Sequence, residues 1–395
     1  MQRPRTWLAG IGGAILMLLS ACSGGSDRIP SEPSTIKIGL IIPTRGQSAS
    51  LAASFEKAVR VSIDTLPDST KYRYQLVIAD AGAGTEEESK RAARQLVEEH
   101  KVAAIVGGIS KVGEHVAPIA TQAEVPHICI CSIPTIGDGQ YNFTNIPLAA
   151  DEAEAWVAEA KSRGVRTIAI LAQEYPSVDA QVDGMKAAAD KAGMEVVYEY
   201  RFPAGTTEFL DPMRAAGEKK PDVYFVTAYE PSLTAIGKQI QVAESVHGSD
   251  LEVASIVSIS ISQDIRTFEG AWYTDSDLNP DLLAQFQTAY PTAEFITHMM
   301  PYAYDSVRML VNGFESDEGV AEHLRNLTSY DGSAGPITRE AGSGNFRSKP
   351  VVWVVKDGCP EVQATGRTRP GCAPSSDPDA PAPAPANPHD PTATP

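Results

Sequence analysis

AAIVGGISKVG, residues 103–113, carries a strand, a turn and a helix start in one short stretch. The apolar run Ala103 to Val106 is too short for a helix and shows no alternation. It reads as a strand buried on both faces, the kind found in parallel sheets. Gly107 and Gly108 then remove the Cβ atoms at the point where the chain leaves that sheet. Either a ligand or a neighbouring loop takes the room so created. Ser110 and Lys111 follow, at the start of a helix-like segment.

The same unit recurs outward in both directions. IKIGLII (36–42) is another continuous apolar run, followed by a helix with Leu51, Phe55, Ala58, Val59, Ser62 and Ile63 on one face. YQLVIAD (74–80) precedes Thr85-Glu86-Glu87-Glu88, a capping box with acids where the helix dipole favours them. VPHICIC (125–131) is the fourth strand. After a polar connection at 142–147 the rhythm restarts with a helix over 151–163 and RTIAILA (166–172). A helix over 177–192, EVVYEYRF (195–202), a short helix at 207–216, DVYFVTA (222–228), a helix over 231–246 and LEVASIV (251–257) complete the run. The last third holds helices near 279–289, 302–315 and 318–328, then VVWVV (351–355). Two successive β-α-β-α runs predict an α/β fold of two mainly parallel sheets, each flanked by helices and joined by crossing strands. Such sheets bind ligands at the carboxyl ends of their strands, so a cleft between the two lobes is the expected site.

The chain has 395 residues, 43% hydrophobic, with a formal net charge of −17. That acidity argues against nucleic-acid binding, because a phosphate backbone would be repelled. At the N-terminus, Arg3 and Arg5 precede an apolar stretch from Trp7 to Leu19, which reads as a signal-peptide core rather than a membrane span. Leu19-Ser20-Ala21-Cys22 resembles the bacterial lipobox, and the resemblance implies cleavage before Cys22 and lipidation of its thiol. The alternative is an ordinary secretory signal. On the first reading residues 1–21 are removed, 22–35 form a flexible tether, and the mature chain sits outside the cytoplasm on a membrane. Cys359 and Cys372 flank a Pro/Gly-rich loop and are placed to close a short disulfide. Beyond them, within 359–395, runs a Pro/Ala-rich tail expected to be disordered. Cys129 and Cys131 share one face of an apolar strand. Extended spacing keeps them apart, which favours buried free thiols.

No metal, cofactor or enzyme activity is expected. Neither CxxC nor a zinc spacing occurs, and the histidines are scattered. Ser54-Phe55-Glu56-Lys57 is a literal S-x-x-K, but Phe55 lies on the buried face of its helix and the companion motifs are out of order.

Taken in order, IKIGLIIPTRG, VAAIVGGIS with VPHICICSIPT, RTIAILAQEYPS, PDVYFVTAYEP and YAYDSVRML resemble the type I periplasmic solute-binding proteins. These are the branched-chain-amino-acid-binding-like subunits of ABC importers, and the resemblance spans residues 36–358. It implies a first lobe of 36–147 plus 275–328 and a second of 148–274 plus 329–358. It also implies that Ser110 and the helix N–H groups behind it hold a ligand carboxylate. Lys111 either adds charge there or is a solvated helix-start lysine. Ser132 and Thr135 belong to the second ligand loop, or to a simple turn. Tyr175 and Tyr229 close over the ligand from lobe two, or lie at its rim.

The implied partners are a small-molecule ligand, the permease subunits of an ABC importer, and a membrane reached through the lipid anchor. A regulatory lipoprotein that uses the same fold to contact a cell-wall synthase is the alternative. In one respect the chain departs from the family. Amino-acid binders carry an acid after the strand matching LEVASIV, where this chain reads Ser258-Ile259-Ser260-Ile261-Ser262. Leu51 also stands where an aromatic often lies. An ammonium buried without an acid costs several kcal/mol, so an amide, a more apolar molecule or a plain carboxylate fits at least as well as an amino acid.

Overall fold

A computed structural model of the chain describes residues 34–46, 49–247, 251–291, 293, 295–296, 298–369 and 372. Cys22, the leader, most of the tether and the tail after Cys372 lie outside the described residues. The first half runs β1 (Thr35–Ile42), α1 (Ala49–Asp64), β2 (Arg73–Asp80), α2 (Glu86–Arg94), β3 (Ala104–Ile109), α3 (Ser110–Ala123), β4 (His127–Ile130) and β5 (Asn142–Asn145). The second runs α4 (Ala149–Ser162), β6 (Thr167–Gln173), α5 (Pro176–Lys191), β7 (Glu195–Phe202), α6 (Leu210–Gly217), β8 (Val223–Thr227), α7 (Ser232–His247), β9 (Val253–Ile256) and β10 (Trp272–Asp275). The remainder is α8 (Pro280–Ala289), α9 (Met300–Glu315), α10 (Val320–Asn326), β11 (Ser329–Gly332), β12 (Gly335–Arg339), β13 (Asn345–Ser348), β14 (Val351–Lys356) and β15 (Cys359–Val362). Thr85 caps α2 as its capping box predicts, accepting from the Glu88 amide.

Two sheets result. The first has eight strands in the order β11-β12-β13-β5-β4-β3-β1-β2, and the second seven in the order β15-β14-β10-β9-β8-β6-β7. From β2 to β13 all pairings of the first sheet are parallel; from β7 to β10 so are those of the second. The two-lobed α/β expectation holds. The chain crosses between the sheets three times, at 146–148, 276–279 and 349–350.

The structure corrects two expectations. Residues 329–348, assigned above to the second lobe, pair into the first sheet as β11 to β13, because β13 lies parallel to β5. Only 351–362 return to the second sheet. These strands are short and largely polar, and Asn142–Asn145 likewise looked like a connection, so neither showed an apolar strand signature. The second correction concerns Cys129 and Cys131. Their Cα atoms lie 5.2 Å apart rather than at extended spacing, which brings the two sulfurs together. Cys359 and Cys372 are also joined, with Cα atoms 5.7 Å apart.

Each sheet is covered on both faces, which is why its strands read as unbroken apolar runs. In the first lobe α2 and α3 cover one face, while α1 and α9 pack together on the other. Ser62 of α1 donates to the Tyr304 carbonyl of α9 at 2.9 Å, tying those two helices together. In the second lobe α4 and α5 pack on the face that carries Ile168, Ile170, Phe225 and Trp272. Trp156 anchors α4 there. It is fully buried, edge-on to Phe225 at 5.2 Å and stacked on Trp272 at 5.4 Å. Among the described residues no helix is long and apolar enough to cross a membrane. Truncating Trp156 to alanine should cost about 3–5 kcal/mol, read as a lower urea midpoint, with α4 the first element to lose amide protection.

Candidate functional site

In a parallel sheet every strand delivers its following loop to the same edge. At that edge of the first sheet, Gly107 and Gly108 have φ of 109° and 83°, which a side chain would strain. A Cβ on Gly107 would lie 2.6 Å from the Ile41 carbonyl of β1. The room left by that glycine is therefore filled by the adjacent strand, which settles the question in favour of the protein's own backbone. His127 locks the same spot, placing Nε2 3.0 Å from the Gly107 carbonyl and Nδ1 3.0 Å from Asn142 Oδ1. The sulfurs of Cys129 and Cys131 lie 3.4 and 3.7 Å from the Gly108 carbonyl.

Ser110 is the first residue of α3, so the helix N-terminus stands at the carboxyl edge; the Ser110 side chain lies outside the described atoms. Lys111 is exposed and has no ion pair among the described residues. Ser132 is half-buried, while Thr135 is exposed within the tight helical turn Pro134–Ile136. Gly113 of α3 abuts the Cys131 sulfur, so the first turn of α3 and the Ser132–Thr135 loop stand side by side. Both segments thus stand at the carboxyl edge of the first sheet.

The edge of the second sheet supplies the aromatic side. Tyr175 precedes α5 and Tyr229 follows β8; their rings meet edge-on at 5.2 Å and an interplanar angle of 75°. Tyr229 Oη shares a 2.9 Å hydrogen bond with Ser177 Oγ, and its amide donates to Gln173 Oε1 at 3.2 Å. Burial pushes the Tyr229 phenol up to about 12, so it stays protonated. Glu230 is a capping residue. Its carboxylate accepts from the Thr234 amide at 3.1 Å and the Gln263 amide at 2.8 Å. Ser258, where the family's acid is missing, bonds Thr227 Oγ1 at 3.1 Å and accepts from the Ala228 amide at 3.3 Å.

Three groups at this junction escaped the sequence reading. Glu152 lies in the first turn of α4, and a helix that leads into a parallel strand begins at the sheet's carboxyl edge. Its carboxyl is 2% exposed and hydrogen-bonded to Gln181. Asp275, at the end of β10, is 1% exposed. From the first lobe, His298 approaches with Nδ1 3.7 Å from Asp275 Oδ1. Tyr302 joins them, fully buried, accepting from Ser348 Oγ at 2.9 Å, and its carbonyl receives Asn145 Nδ2 at 3.1 Å. The sequence carried little signal for the cluster. Glu152 sits among helix-start acids of ordinary appearance, and His298 lies in an irregular stretch.

Burial dominates the electrostatics. It raises Glu152 to about 7, with Asp275 adding to the rise while His298 and Gln181 oppose it. Burial alone would depress His298, yet the facing Asp275 carboxylate, backed by Glu152, holds it above its usual value. Outside the cleft, Asp151 of α4 is held by Arg347 of β13, whose Nε donates to Oδ2 at 2.8 Å across the third crossing. Among the described residues no cluster of His, Cys, Asp and Glu fits a metal ion.

A raised acid binds a proton in the folded state that the unfolded chain lacks. Glu152 therefore contributes stability that is complete below its ordinary value of 4.5 and lost as pH rises through about 7. In Glu152→Gln that component should vanish. The wild-type-minus-variant stability should fall with pH by at most about 1.4 kcal/mol per unit across this window, measured by urea denaturation.

Comparison with known proteins matches this geometry. The family model described as periplasmic binding protein aligns with residues 35–358. A leucine binding protein LivK from Thermotoga maritima superposes with a TM-score of 0.71 at 19% identity, covering 83% of this chain and 97% of its own. The branched-chain amino acid transporter substrate binding protein LivJ of Streptococcus pneumoniae, in complex with isoleucine, gives 0.72 at 17% identity, covering 85% and 99%. An ABC transporter solute binding protein of Rhodopseudomonas palustris HaA2, in complex with p-hydroxybenzoic acid, gives 0.71 at 19% identity, covering 85% and 95%. No curated protein matches the chain in sequence. The structural likenesses speak for the fold, and the family model covers most of the chain from β1 to the end of β14. The chain therefore belongs to the periplasmic binding proteins, as a solute-binding member of the type I family.

Proposed function

We propose that the protein is the extracytoplasmic solute-binding subunit of an ABC importer, held to a membrane by lipid on Cys22. It captures a small carboxylate-bearing molecule between its lobes by hinge closure. The observation that carries this reading is the arrangement of the two sheets. The α3 N-terminus and the Ser132–Thr135 loop follow strands of one sheet, the Tyr175–Tyr229 pair follows strands of the other, and three crossings join the two. The relatives crystallised with isoleucine and with p-hydroxybenzoic acid agree with this ligand class, since both molecules carry a carboxylate.

In this mechanism the α3 N-terminus, with Ser110, and the Ser132–Thr135 loop hold the anionic end. Lys111, exposed beside them, adds charge as the ligand arrives. Tyr175 and Tyr229 then cover the ligand body, supplying apolar area at small entropic cost. Closure is a population shift whose size equals the ligand's differential affinity for the closed state.

A screen of small carboxylates and amino acids by melting temperature should find compounds that raise it, because stabilisation follows from binding to the folded state. For such a compound, Ser110→Ala with Thr135→Ala should weaken binding by about tenfold or more in calorimetry. Unchanged affinity removes both residues from the site. Separately, Cys22→Ala should abolish incorporation of labelled palmitate and release the protein from membranes. Retained labelling overturns the anchor.

A further inference from the structure

We propose that the segment after β14, closed on itself by the Cys359–Cys372 disulfide, is a strap that braces the second crossing between the lobes. Arg367 and Arg369 are its positioning residues, and through them the strap sets how tightly a captured solute is held. The inference rests on the solute-binding reading above and deepens it. The family match ends at residue 358, and the strap lies just beyond it.

The strap is built locally. β15 runs antiparallel to β14, and the Gln363 amide donates to the Val352 carbonyl at 2.9 Å. The chain then reverses. Gly366 takes a φ of 66°, and its amide donates to the Val362 carbonyl at 2.8 Å. The returning arm pairs back on β15: the Val362 amide donates to the Arg367 carbonyl at 2.8 Å, and the Arg369 amide to the Pro360 carbonyl at 2.7 Å. Arg367 and Arg369 stand two apart on that extended arm, which sends both to one face. The disulfide joins the ends of the hairpin and limits how far the arm can stray from the sheet.

Both side chains reach segments on which capture depends. Arg367 Nη2 is ion-paired with Asp277 Oδ1 in the crossing at 276–279. The same carboxylate oxygen accepts from the Leu278 amide at 2.7 Å, so the arginine fixes a group that itself shapes the crossing. Beside it, Trp353 Nε1 donates to the Ser276 carbonyl at 3.1 Å. On the far side, the Asn279 amide donates at 2.9 Å to the Ser333 carbonyl, between β11 and β12 of the first sheet. Arg369, 6% exposed, donates from Nη1 to the Ser260 carbonyl at 2.9 Å. Ser260 lies in the turn Ser258–Ile261, and Ser258 Oγ accepts from the Ala228 amide next to Tyr229. One strap therefore holds a crossing and, through one turn, the loop that carries Tyr229.

What such a brace does follows from the energetics. A partly exposed ion pair such as Arg367–Asp277 adds little to global stability, and a buried guanidinium such as Arg369 is weak evidence of it. Their effect is on freedom of movement instead. A crossing already held in one conformation loses less entropy when the lobes close on a solute, so affinity rises without any contact to that solute. Loosening the strap returns this entropy to the solute-free protein and weakens binding.

The test measures amide hydrogen exchange by mass spectrometry on the full chain without solute, together with calorimetry of isoleucine, benzoate and 4-hydroxybenzoate. Arg367→Ala, and separately Cys359→Ser with Cys372→Ser, should speed exchange at 276–279 about fivefold or more and leave β6 and β8 unchanged. For whichever of the three compounds binds, or for a stabiliser from the thermal screen where none does, the dissociation constant should rise about threefold or more. Arg367→Lys keeps the charge and should restore most of both. Combining Arg367→Ala with the serine pair should add little to either alone, because both act through one contact. Unchanged exchange at 276–279 in Arg367→Ala, which keeps the disulfide, overturns the brace. Faster exchange throughout the second lobe overturns it too, since the strap is then a general staple of the fold. Faster local exchange with unchanged affinity overturns its control of capture. If nothing in the thermal screen stabilises the protein, the solute-binding reading fails, while the exchange result still decides the brace.

Discussion

A β-α-β crossover in a parallel sheet has one hand, so every strand of that sheet points its carboxyl end, and the loop after it, to the same edge. The rest of this molecule depends on that constraint. It gathers the α3 N-terminus and the Ser132–Thr135 loop on one lobe, and Gln173, Tyr175, Tyr229 and Asp275 on the other, although they are far apart in sequence. The three crossings at 146–148, 276–279 and 349–350 then join the two sheets. Tyr302 is fixed by hydrogen bonds to Ser348, the last residue of β13, and to Ser276 of the second crossing.

Energetically the lobes and the cleft are opposites. Behind each sheet lie buried aliphatic and aromatic side chains, with Trp156, Phe225 and Trp272 in mutual contact. Between the sheets, polar groups are buried with incomplete partners, and Glu152 is pushed to about 7 by desolvation. Burying unspent polar capacity is unfavourable unless something satisfies it. The Arg347–Asp151 pair, outside this zone, ties the first turn of α4 to β13 and so fixes where Glu152 stands.

Much of the fold was legible in the chain because burial on both faces leaves unbroken apolar runs such as IKIGLII and RTIAILA. The strands that escaped were those without that signature. Asn142–Asn145 is wholly buried yet polar, since its side chains bond to neighbours: Asn142 to His127, Thr144 to Asn345, Asn145 to Tyr302. β11 to β13 form an edge of short, mixed strands, so their return to the first sheet could not be read from hydropathy. The close approach of Cys129 and Cys131 comes from a departure from extended spacing at the end of β4, which periodicity does not reveal.

What the sequence settled by itself is local: where strands and helices begin, which faces are apolar, where glycines must stand, and that no acid follows β9. The tertiary structure alone decided which residues meet. Glu152, Asp275 and His298 are separated by the whole second lobe or by α8 and its flanks, and no spacing rule connects them. They come together because α4 starts, and β10 ends, at one edge of a parallel sheet, while the segment before α9 brings His298 across from the other lobe. Proximity of that kind follows from strand order and helix direction, which a one-dimensional pattern does not contain.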